Sequence, residues 1–172
     1  TYTVGSLVQA NHGRRERLRV NGVPVGERIG TDVLPLPIAP EMYVPGSGSI
    51  IVVIATDAPL LPQQCARLAQ RAGLAIARLG GTGEQESGDI FIAFSTAGRQ
   101  PSYRYSTYGK PSDAEIQVRM LANDYLTPLF DLVIDATEEA ILNAMVAAET
   151  MVGRDGITAH AIPHDLLVEA MR

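Results

Sequence analysis

The stretch GSIIVVIATDAPL, residues 48–60, decides the fold because it contains a continuous apolar run from Ile50 to Ala55. Every residue of this run except Ala55 is β-branched, and the run leaves no polar face. Such a pattern is typical of a strand that is covered on both sides. The run begins directly after Ser49, which itself follows a Pro-Gly-Ser-Gly segment. We therefore predict a buried strand whose first residue is a serine.

A helix is predicted directly after this strand. Thr56 or Asp57 is its expected cap, Pro59 lies near its first turn, and Gly80-Gly81 ends it. Apolar residues at three- and four-residue spacing give the helix one buried stripe, which consists of Leu61, Cys65, Leu68, Ala72 and Ile76. The stripe predicts that this helix packs against the sheet along one side.

Two further strands and a second long helix complete the pattern. Thr3–Ala10 and Asp89–Ala97 are the predicted strands. The second helix is capped at Thr127, has Pro128 at its first position and runs to Gly153. Strands and helices both segregate and alternate along the chain. This order indicates an α/β layered sandwich.

The remaining segments are predicted to be turns and connectors. Asn21-Gly22 indicates a hairpin with a type I′ turn, because both residues tolerate positive φ. Residues 23–48 predict a surface connector outside the core, because proline removes hydrogen-bond donors from a sheet and this stretch contains five: Pro24, Pro35, Pro37, Pro40 and Pro45. Between residues 100 and 123 we predict only a turn at YGKPSD and a short helix near Glu115 to Leu121.

Composition narrows the class of protein. The 172 residues are 46% hydrophobic and 19% charged, with a net charge of −5, so the chain has no basic footprint for nucleic acid. Its apolar runs are shorter than the roughly 18 residues of a membrane span. The single cysteine, Cys65, excludes an internal disulfide. No signal peptide is visible. We expect a piece of a longer bacterial protein, and its compartment stays open between cytoplasm and periplasm.

Ser49 has one particular chemical use at this position. If the Gly48–Ser49 bond breaks, Ser49 carries both a hydroxyl and an α-amine, whose reference pKa is about 7.7–8.0. Such an amine is partly neutral at physiological pH and can accept the hydroxyl proton. Gly46 and Gly48 would let the backbone adopt the geometry of an N-to-O acyl shift. The alternative is an ordinary Gly-Ser loop before a strand, and the pattern alone leaves both open.

A resemblance adds to this reading. GSIIVVIATDAPL, SGDIFIAFSTA, TPLF and ATEEAILNAMVAAETMVGRDG occur here in this order. The chain, from YTVGSLVQANHGRRE to about Pro163, resembles the C-terminal part of the L-aminopeptidase/D-amidase-esterase family, which includes the β-peptidyl aminopeptidases. Members of that family are inactive precursors that cleave themselves just before a serine. Their fold sandwiches two β-sheets between helices, and the resemblance implies this helix-sheet-sheet-helix arrangement here, a type shared with the ornithine acetyltransferases.

The resemblance implies a division of the chain at the Gly48–Ser49 bond. Residues 1–48 would be the tail of a large subunit, including the proline-rich linker. Residues 49–172 would be the small subunit, which begins with the nucleophile. The two parts would together belong to one domain, completed by the large-subunit region upstream of Thr1.

The same resemblance implies a set of catalytic residues. Ser49 matches the nucleophile, and Ser87 and Asp89 in ESGDIF match the serine and the acidic residue beside it. The family acid is glutamate, so Asp89 is one methylene shorter. Asn11 in LVQANHG matches the asparagine that stabilises the oxyanion. Read without the family, Asp89 is a cap or loop residue, Ser87 a loop serine and Asn11 a turn residue.

The resemblance implies a self-processing serine aminopeptidase or amidase. It would release N-terminal residues from short peptides, amides or esters through an acyl-enzyme on Ser49, without a cofactor or a metal. We expect a homo-oligomer of two-chain units. Two alternatives stay open, an acyltransferase of the ornithine acetyltransferase type and an unprocessed, inactive homologue.

Other conspicuous residues receive structural interpretations. His160 and His164 have the spacing of a metal pair, but Pro163 lies between them and no third ligand is evident. His12 is predicted to be a surface histidine. The basic run Arg14 to Arg19 is interpreted as a solvated segment or a subunit contact and not as an anion site. Cys65 is predicted to be a core residue.

Overall fold

A three-stranded sheet forms the centre of the computed structural model, which describes residues 1–38, 42, 44, 47–97 and 117–172. Its strands are β1 (Val4–Asn11), β2 (Ser49–Thr56) and β3 (Ile90–Ser95), in the order β1-β2-β3. β1 pairs antiparallel with β2, and β3 pairs parallel with it. All three strands lie where the sequence predicts them. β2 is therefore the middle strand of this sheet.

The two faces of the sheet differ in burial. Ile50, Val52 and Ile54 of β2 are fully buried beneath helices. The intervening residues face the other side, where Ile51 is 40% exposed and Leu7 is 71% exposed. We call this second side the open face. The prediction that β2 is covered on both sides is thus met on one side only among the described residues.

The predicted helix after β2 is two consecutive helices, α2 (Pro62–Ala69) and α3 (Ala72–Arg78). The predicted stripe faces the core, since Cys65, Leu68, Ala72 and Ile76 are buried. The predicted caps were wrong, because α2 begins after Leu61. Thr56 and Asp57 instead bind the start of β1. The Thr56 hydroxyl donates to the Thr3 carbonyl at 2.7 Å, and an Asp57 carboxylate oxygen accepts from the Thr3 amide at 2.7 Å.

The long helix, α4 (Thr127–Ala147), crosses the covered face of the sheet. Pro128 lies in its first turn as predicted, although Leu126 and not Thr127 is the cap. The predicted end at Gly153 was wrong. Ala148 is extended, and β4 (Met151–Val152) then pairs with β5 (Thr158–Ala159) in a small hairpin. A last helix, α5 (His164–Ala170), follows; the sequence analysis predicted neither the hairpin nor α5.

The proline-rich segment contains part of the core. Asn21 and Gly22 have φ values of 50° and 80°, which confirms the tight turn. The prediction that residues 23–48 are a surface connector was wrong for residues 23–34, which include the short helix α1 (Val25–Arg28). Val25, Ile29 and Leu34 form a second buried cluster with Ala170 of α5. No proline stands between Pro24 and Pro35, so nothing prevents these residues from packing.

Two other expectations concern the region before α4. Residues 117–122 form no helix, and the Leu121 amide donates to the Pro59 carbonyl at 2.8 Å, so the predicted short helix is absent where it can be observed. Its first residues and the predicted turn at YGKPSD lie outside the described residues. Within the described ranges, the helices are too short or too polar to cross a membrane.

Candidate active site

Ser49 and Asn11 lie directly opposite each other at one end of the sheet. The β1–β2 register runs from Val4 opposite Thr56 to Asn11 opposite Ser49. Side chains alternate along a strand, and directly paired residues share a face. Because Ile50 points into the core, Ser49 and Asn11 belong to the open face. The Ser49 hydroxyl and the Asn11 side-chain amide are thus at one edge of an apolar surface.

The loop between α3 and β3 brings two more groups to this edge. The Gly88 amide donates to Ser49 Oγ at 2.9 Å. The Ser87 hydroxyl donates to Asp89 Oδ1 at 2.5 Å. Ser49, Ser87 and Asp89 are all half-buried, whereas Gly88 is exposed. The structure therefore brings the predicted residues Asn11, Ser49, Ser87 and Asp89 together around one point.

Asp89 also holds the backbone next to Ser49. Its Oδ1 accepts a second hydrogen bond from the Ile50 amide, at 3.0 Å. One carboxylate oxygen thus binds both the Ser87 hydroxyl and the peptide group that follows Ser49. Aspartate has a shorter side chain than glutamate, but it reaches Ser87 here because both lie on the same turn into β3.

Gly48 is fixed by a close approach of two backbone segments. A Cβ at this position would lie 2.3 Å from the Asn11 carbonyl oxygen and 2.9 Å from the His12 Cα. The φ of Gly48 lies outside the left-handed region, so its backbone does not need the conformational freedom that the sequence suggested. Glycine fits here because there is no space for a side chain. Gly46, the other glycine expected to loosen this segment, lies outside the described residues.

His12 lies beside the predicted acid, so the interpretation as a surface histidine was wrong. It is half-buried and lines a small cavity together with Gly48, Ser87 and Asp89. Burial lowers the pKa of His12 below its ordinary value, and the negative charge of Asp89 opposes this only in part. The position directly after Asn11 was the sequence signal for this placement.

The basic run is also closer to the site than its pattern indicated. Arg14 and Arg17 both form ion pairs with Glu84, at 2.6 Å and 3.2 Å. Glu84 belongs to the loop that carries Ser87, and the pKa of its carboxyl is lowered, chiefly by the hydrogen bond from Arg14. These residues line the same cavity as Ser87 and Asp89. Such pairing over a long sequence separation has no local signature.

The described part of the chain holds no group of three or more His, Cys, Asp or Glu residues placed to bind a metal ion. His164 is the first residue of α5, and its Nε2 lies 2.9 Å from the Val146 carbonyl oxygen. His160 lies in the preceding loop. What converges at the end of β2 is instead a set of hydroxyl, carboxylate and amide groups, which is suited to acyl transfer.

Comparisons with known proteins agree with this arrangement. The sequence model of peptidase family S58 matches residues 1–159. The beta-peptidyl aminopeptidase BapA of Sphingosinicella microcystinivorans is 46% identical over 171 residues, which cover 95% of this chain and 41% of that protein. The chain thus spans about two fifths of the length of this relative.

Solved structures give the same result. A beta-aminopeptidase from Burkholderia sp. is 46% identical, with a TM-score of 0.80 over 99% of this chain and 44% of its own. The L-aminopeptidase D-Ala-esterase/amidase of Ochrobactrum anthropi, a prototype of the serine aminopeptidases with a variant of the Ntn hydrolase fold, is 42% identical. Its TM-score is 0.80 over 99% of this chain and 43% of its own. The predicted fold class is confirmed.

Proposed function

The chain belongs to peptidase family S58, and we propose that it supplies the nucleophile of a self-processing serine aminopeptidase. The observation that carries this proposal is the set of hydrogen bonds around Ser49. The Gly88 amide donates to its Oγ, and Asp89 binds both Ser87 and the amide that follows Ser49. The peptidase match favours hydrolysis over transfer of the acyl group to an amine. The reaction proposed is the removal of N-terminal residues from short peptides, amides or esters.

The first step of the proposal is cleavage of the chain itself. Ser49 Oγ attacks the carbonyl carbon of Gly48, its proton passes to the amide nitrogen of Ser49, and the Gly48–Ser49 peptide bond becomes an ester. Water then hydrolyses the ester, which leaves a carboxylate on Gly48 and an α-amine on Ser49. The tight packing of Gly48 against Asn11 supports this step because it holds the carbonyl carbon at the end of the β1–β2 ladder.

The second step is turnover on the freed Ser49. The substrate carbonyl is attacked by Ser49 Oγ, whose proton is accepted by the α-amine with the help of Ser87 and Asp89. The Asn11 amide donates to the oxyanion of the tetrahedral intermediate, and loss of one such donor typically lowers the rate by about 10²–10³-fold. The amine leaving group takes the proton, and water hydrolyses the acyl-enzyme. None of these steps uses a cofactor.

The open face supports a further part of the proposal, which concerns the large-subunit region expected upstream of Thr1. Five large apolar side chains are exposed there by 40% or more, namely Leu7, Ile51, Ile90, Ile92 and Phe94. An apolar surface of this size, bordered by catalytic groups, requires a cover. We assign the cover to the large-subunit region upstream of Thr1, since the chain spans only about two fifths of its relatives. That region would also recognise the free amine of the substrate, and the two-chain unit would form homo-oligomers.

The experiment that tests the proposal is intact mass measurement on the full-length protein, with Ser49→Ala as the test variant. Ser47→Ala is the matched control, because Ser47 lies two residues away and is exposed. Wild type and Ser47→Ala are expected to split at the Gly48–Ser49 bond, and Ser49→Ala is expected to stay whole. A wild-type protein that stays in one piece after prolonged incubation would overturn the self-processing step. Hydrolysis of short α- and β-peptides by the split protein then identifies the substrate class.

A further inference from the structure

Two irregular segments carry most of the proposed site. Residues 12–17 follow Asn11, the last residue of β1, and carry His12; residues 80–89 precede β3 and carry Ser87, Gly88 and Asp89. Apart from the single 3-10 turn Arg15–Arg17, these segments have no regular hydrogen-bonded structure to hold them. The contacts between them therefore determine where the Gly88 amide and the Ser87 hydroxyl lie relative to Ser49.

Glu84 is the centre of these contacts. Arg14 binds it with a fork of two contacts, an ion pair between Nε and Oε1 at 2.6 Å and a hydrogen bond that Nη2 donates to Oε2 at 2.8 Å. Arg17 Nη1 binds the same carboxylate at 3.2 Å and the Thr82 hydroxyl at 2.9 Å. Two contacts from one planar guanidinium group to the two oxygens of one carboxylate fix its orientation as well as its position.

The connection from Glu84 to the nucleophile is short. The Ser87 amide donates to the Glu84 carbonyl at 2.8 Å, so Glu84 is bound through its side chain on one side and its backbone on the other. The next residue, Gly88, donates its amide to Ser49 Oγ. A change in the position of Glu84 is thus transmitted to the group that binds the nucleophile.

The segment that carries Arg14 and Arg17 is itself held in place by the end of α3. The backbone of Arg17 packs directly against Gly80, where a Cβ would lie 1.8 Å from the Arg17 carbonyl oxygen. The Arg19 amide also donates to the Leu79 carbonyl at 3.2 Å. The segment of Arg14 and Arg17 is therefore fixed to the end of α3, and Glu84 attaches the far part of the loop to it.

We propose that Glu84, Arg14 and Arg17 are positioning residues. Together they hold Ser87 and the Gly88 amide against Ser49. The proposal rests on the catalytic role assigned to Ser49 above. Partly exposed ion pairs contribute little to stability, and the side chains of Arg14 and Glu84 are 29% and 20% exposed. Loss of the cluster therefore changes the rate of the reaction at Ser49 and leaves the stability of the core nearly unchanged.

The test uses Glu84→Gln in the full-length protein, with Glu138→Gln as the matched control. Glu138 is 19% exposed and pairs with Arg78 at 3.0 Å, but it joins α3 to α4 away from the loop. Two quantities are measured, the rate of self-cleavage at Gly48–Ser49 and the hydrogen exchange of the Gly88 amide. Self-cleavage has no substrate-binding step, so its rate does not depend on the affinity for a substrate, and the exchange of the Gly88 amide reports on the geometry directly.

Glu84→Gln is expected to slow self-cleavage about 10–100-fold, because displacements of about 1 Å in an active site can change rates by this factor. Exchange of the Gly88 amide is expected to accelerate at least several-fold, whereas Glu138→Gln changes neither quantity. Arg14→Lys keeps the charge but loses the fork, so its self-cleavage rate should fall between those of wild type and Arg14→Ala. If Glu84→Gln does not fold, the comparison of Arg14→Lys with Arg14→Ala still tests the proposal.

The outcomes separate the two proposals. Wild-type exchange of Gly88 in Glu84→Gln overturns the positioning role, whatever the rate of cleavage. Equal rates for Arg14→Lys and Arg14→Ala overturn the importance of the fork. If the wild-type protein does not cleave itself, the proposed function fails, and exchange at Gly88 still decides whether the cluster holds the loop.

Discussion

The two faces of the central sheet have nearly the same composition and opposite environments. On the covered face, Ile50, Val52 and Ile54 are fully buried beneath helices. On the open face, Ile90, Ile92 and Phe94 are each exposed by about half. Ser49, the proposed nucleophile, lies at the edge of the open face. The comparison shows that apolar composition indicates that a surface is to be buried, but not which segment buries it.

The largest expected effect is the loss of stability when an isoleucine is truncated, which should differ between the two faces. Ile54→Ala should lower the free energy of unfolding of the full-length protein by about 2–5 kcal/mol, because it leaves a cavity in a close-packed core. In the 172-residue chain, Ile92→Ala should cost about 1 kcal/mol or less, since Ile92 is already 51% exposed. Urea unfolding followed by circular dichroism measures both.

The same pair tests the proposed cover. In the full-length protein, Ile92→Ala is expected to be about as destabilising as Ile54→Ala, because the upstream region would bury both. A cost for Ile92→Ala that is equally small in the long and short chains would contradict the assignment of the open face to that region.

A smaller effect is expected at the end of the β1–β2 ladder. Gly48→Ala should cost about 1–3 kcal/mol and slow self-cleavage, because the new Cβ would lie 2.3 Å from the Asn11 carbonyl oxygen. Gly5→Ala is the matched control on β1, since a Cβ there would meet nothing within 4 Å. Thermal unfolding and intact mass measure the two effects. Equal behaviour of the two variants would show that the Asn11 backbone moves aside easily.

A polar contact between α4 and the sheet lies on the covered face. Thr137 of α4 is fully buried, and its hydroxyl lies 3.1 Å from that of Ser6. Thr137→Val should cost about 1–2 kcal/mol because it leaves the Ser6 hydroxyl without this partner. Ser6→Ala combined with Thr137→Val should recover part of that loss in a double-mutant cycle. Strict additivity of the two changes would argue against the contact.

The smallest expected effect concerns pH. Burial lowers the pKa of His12 in the folded state, so the unfolded chain binds a proton there more readily than the folded chain. The resulting contribution to stability is fully present above the unfolded pKa of His12. It is lost progressively as the pH falls through that value towards the folded pKa. His12→Asn should therefore flatten the stability profile between neutral and mildly acidic pH, and parallel profiles for wild type and variant would contradict this.

The parts that the sequence predicted are those with long local patterns. β2 and the stripe of α2 and α3 were found because apolar runs and helical spacing extend over many residues. The core contribution of Val25, Ile29 and Leu34 was missed because the prolines around it dominated the pattern. The caps of α2 and α4 were missed because Leu61 and Leu126 have no capping side chain of the usual kind.

The side chains that meet at the candidate site could be named from the sequence, whereas the backbone groups that contact them could not. Ser49, Ser87, Asp89 and Asn11 followed from the resemblance, and the structure brings them together. The Gly88 and Ile50 amides have no signature in a sequence, because every residue except proline has such a group. The pairing of Glu84 with Arg14 depends on a close approach of segments that are distant in the chain.

The β1–β2 ladder has a consequence for what a cut at Gly48–Ser49 would leave behind. Its eight residue pairs, from Val4–Thr56 to Asn11–Ser49, all join the segment before the cut to the segment after it. The second buried cluster also spans the cut, since Val25 and Ile29 pack against Ala170. The cut would thus turn an intramolecular association into a bimolecular one without removing these contacts. The two pieces would therefore resist dissociation on dilution, and would separate only under conditions that also unfold them.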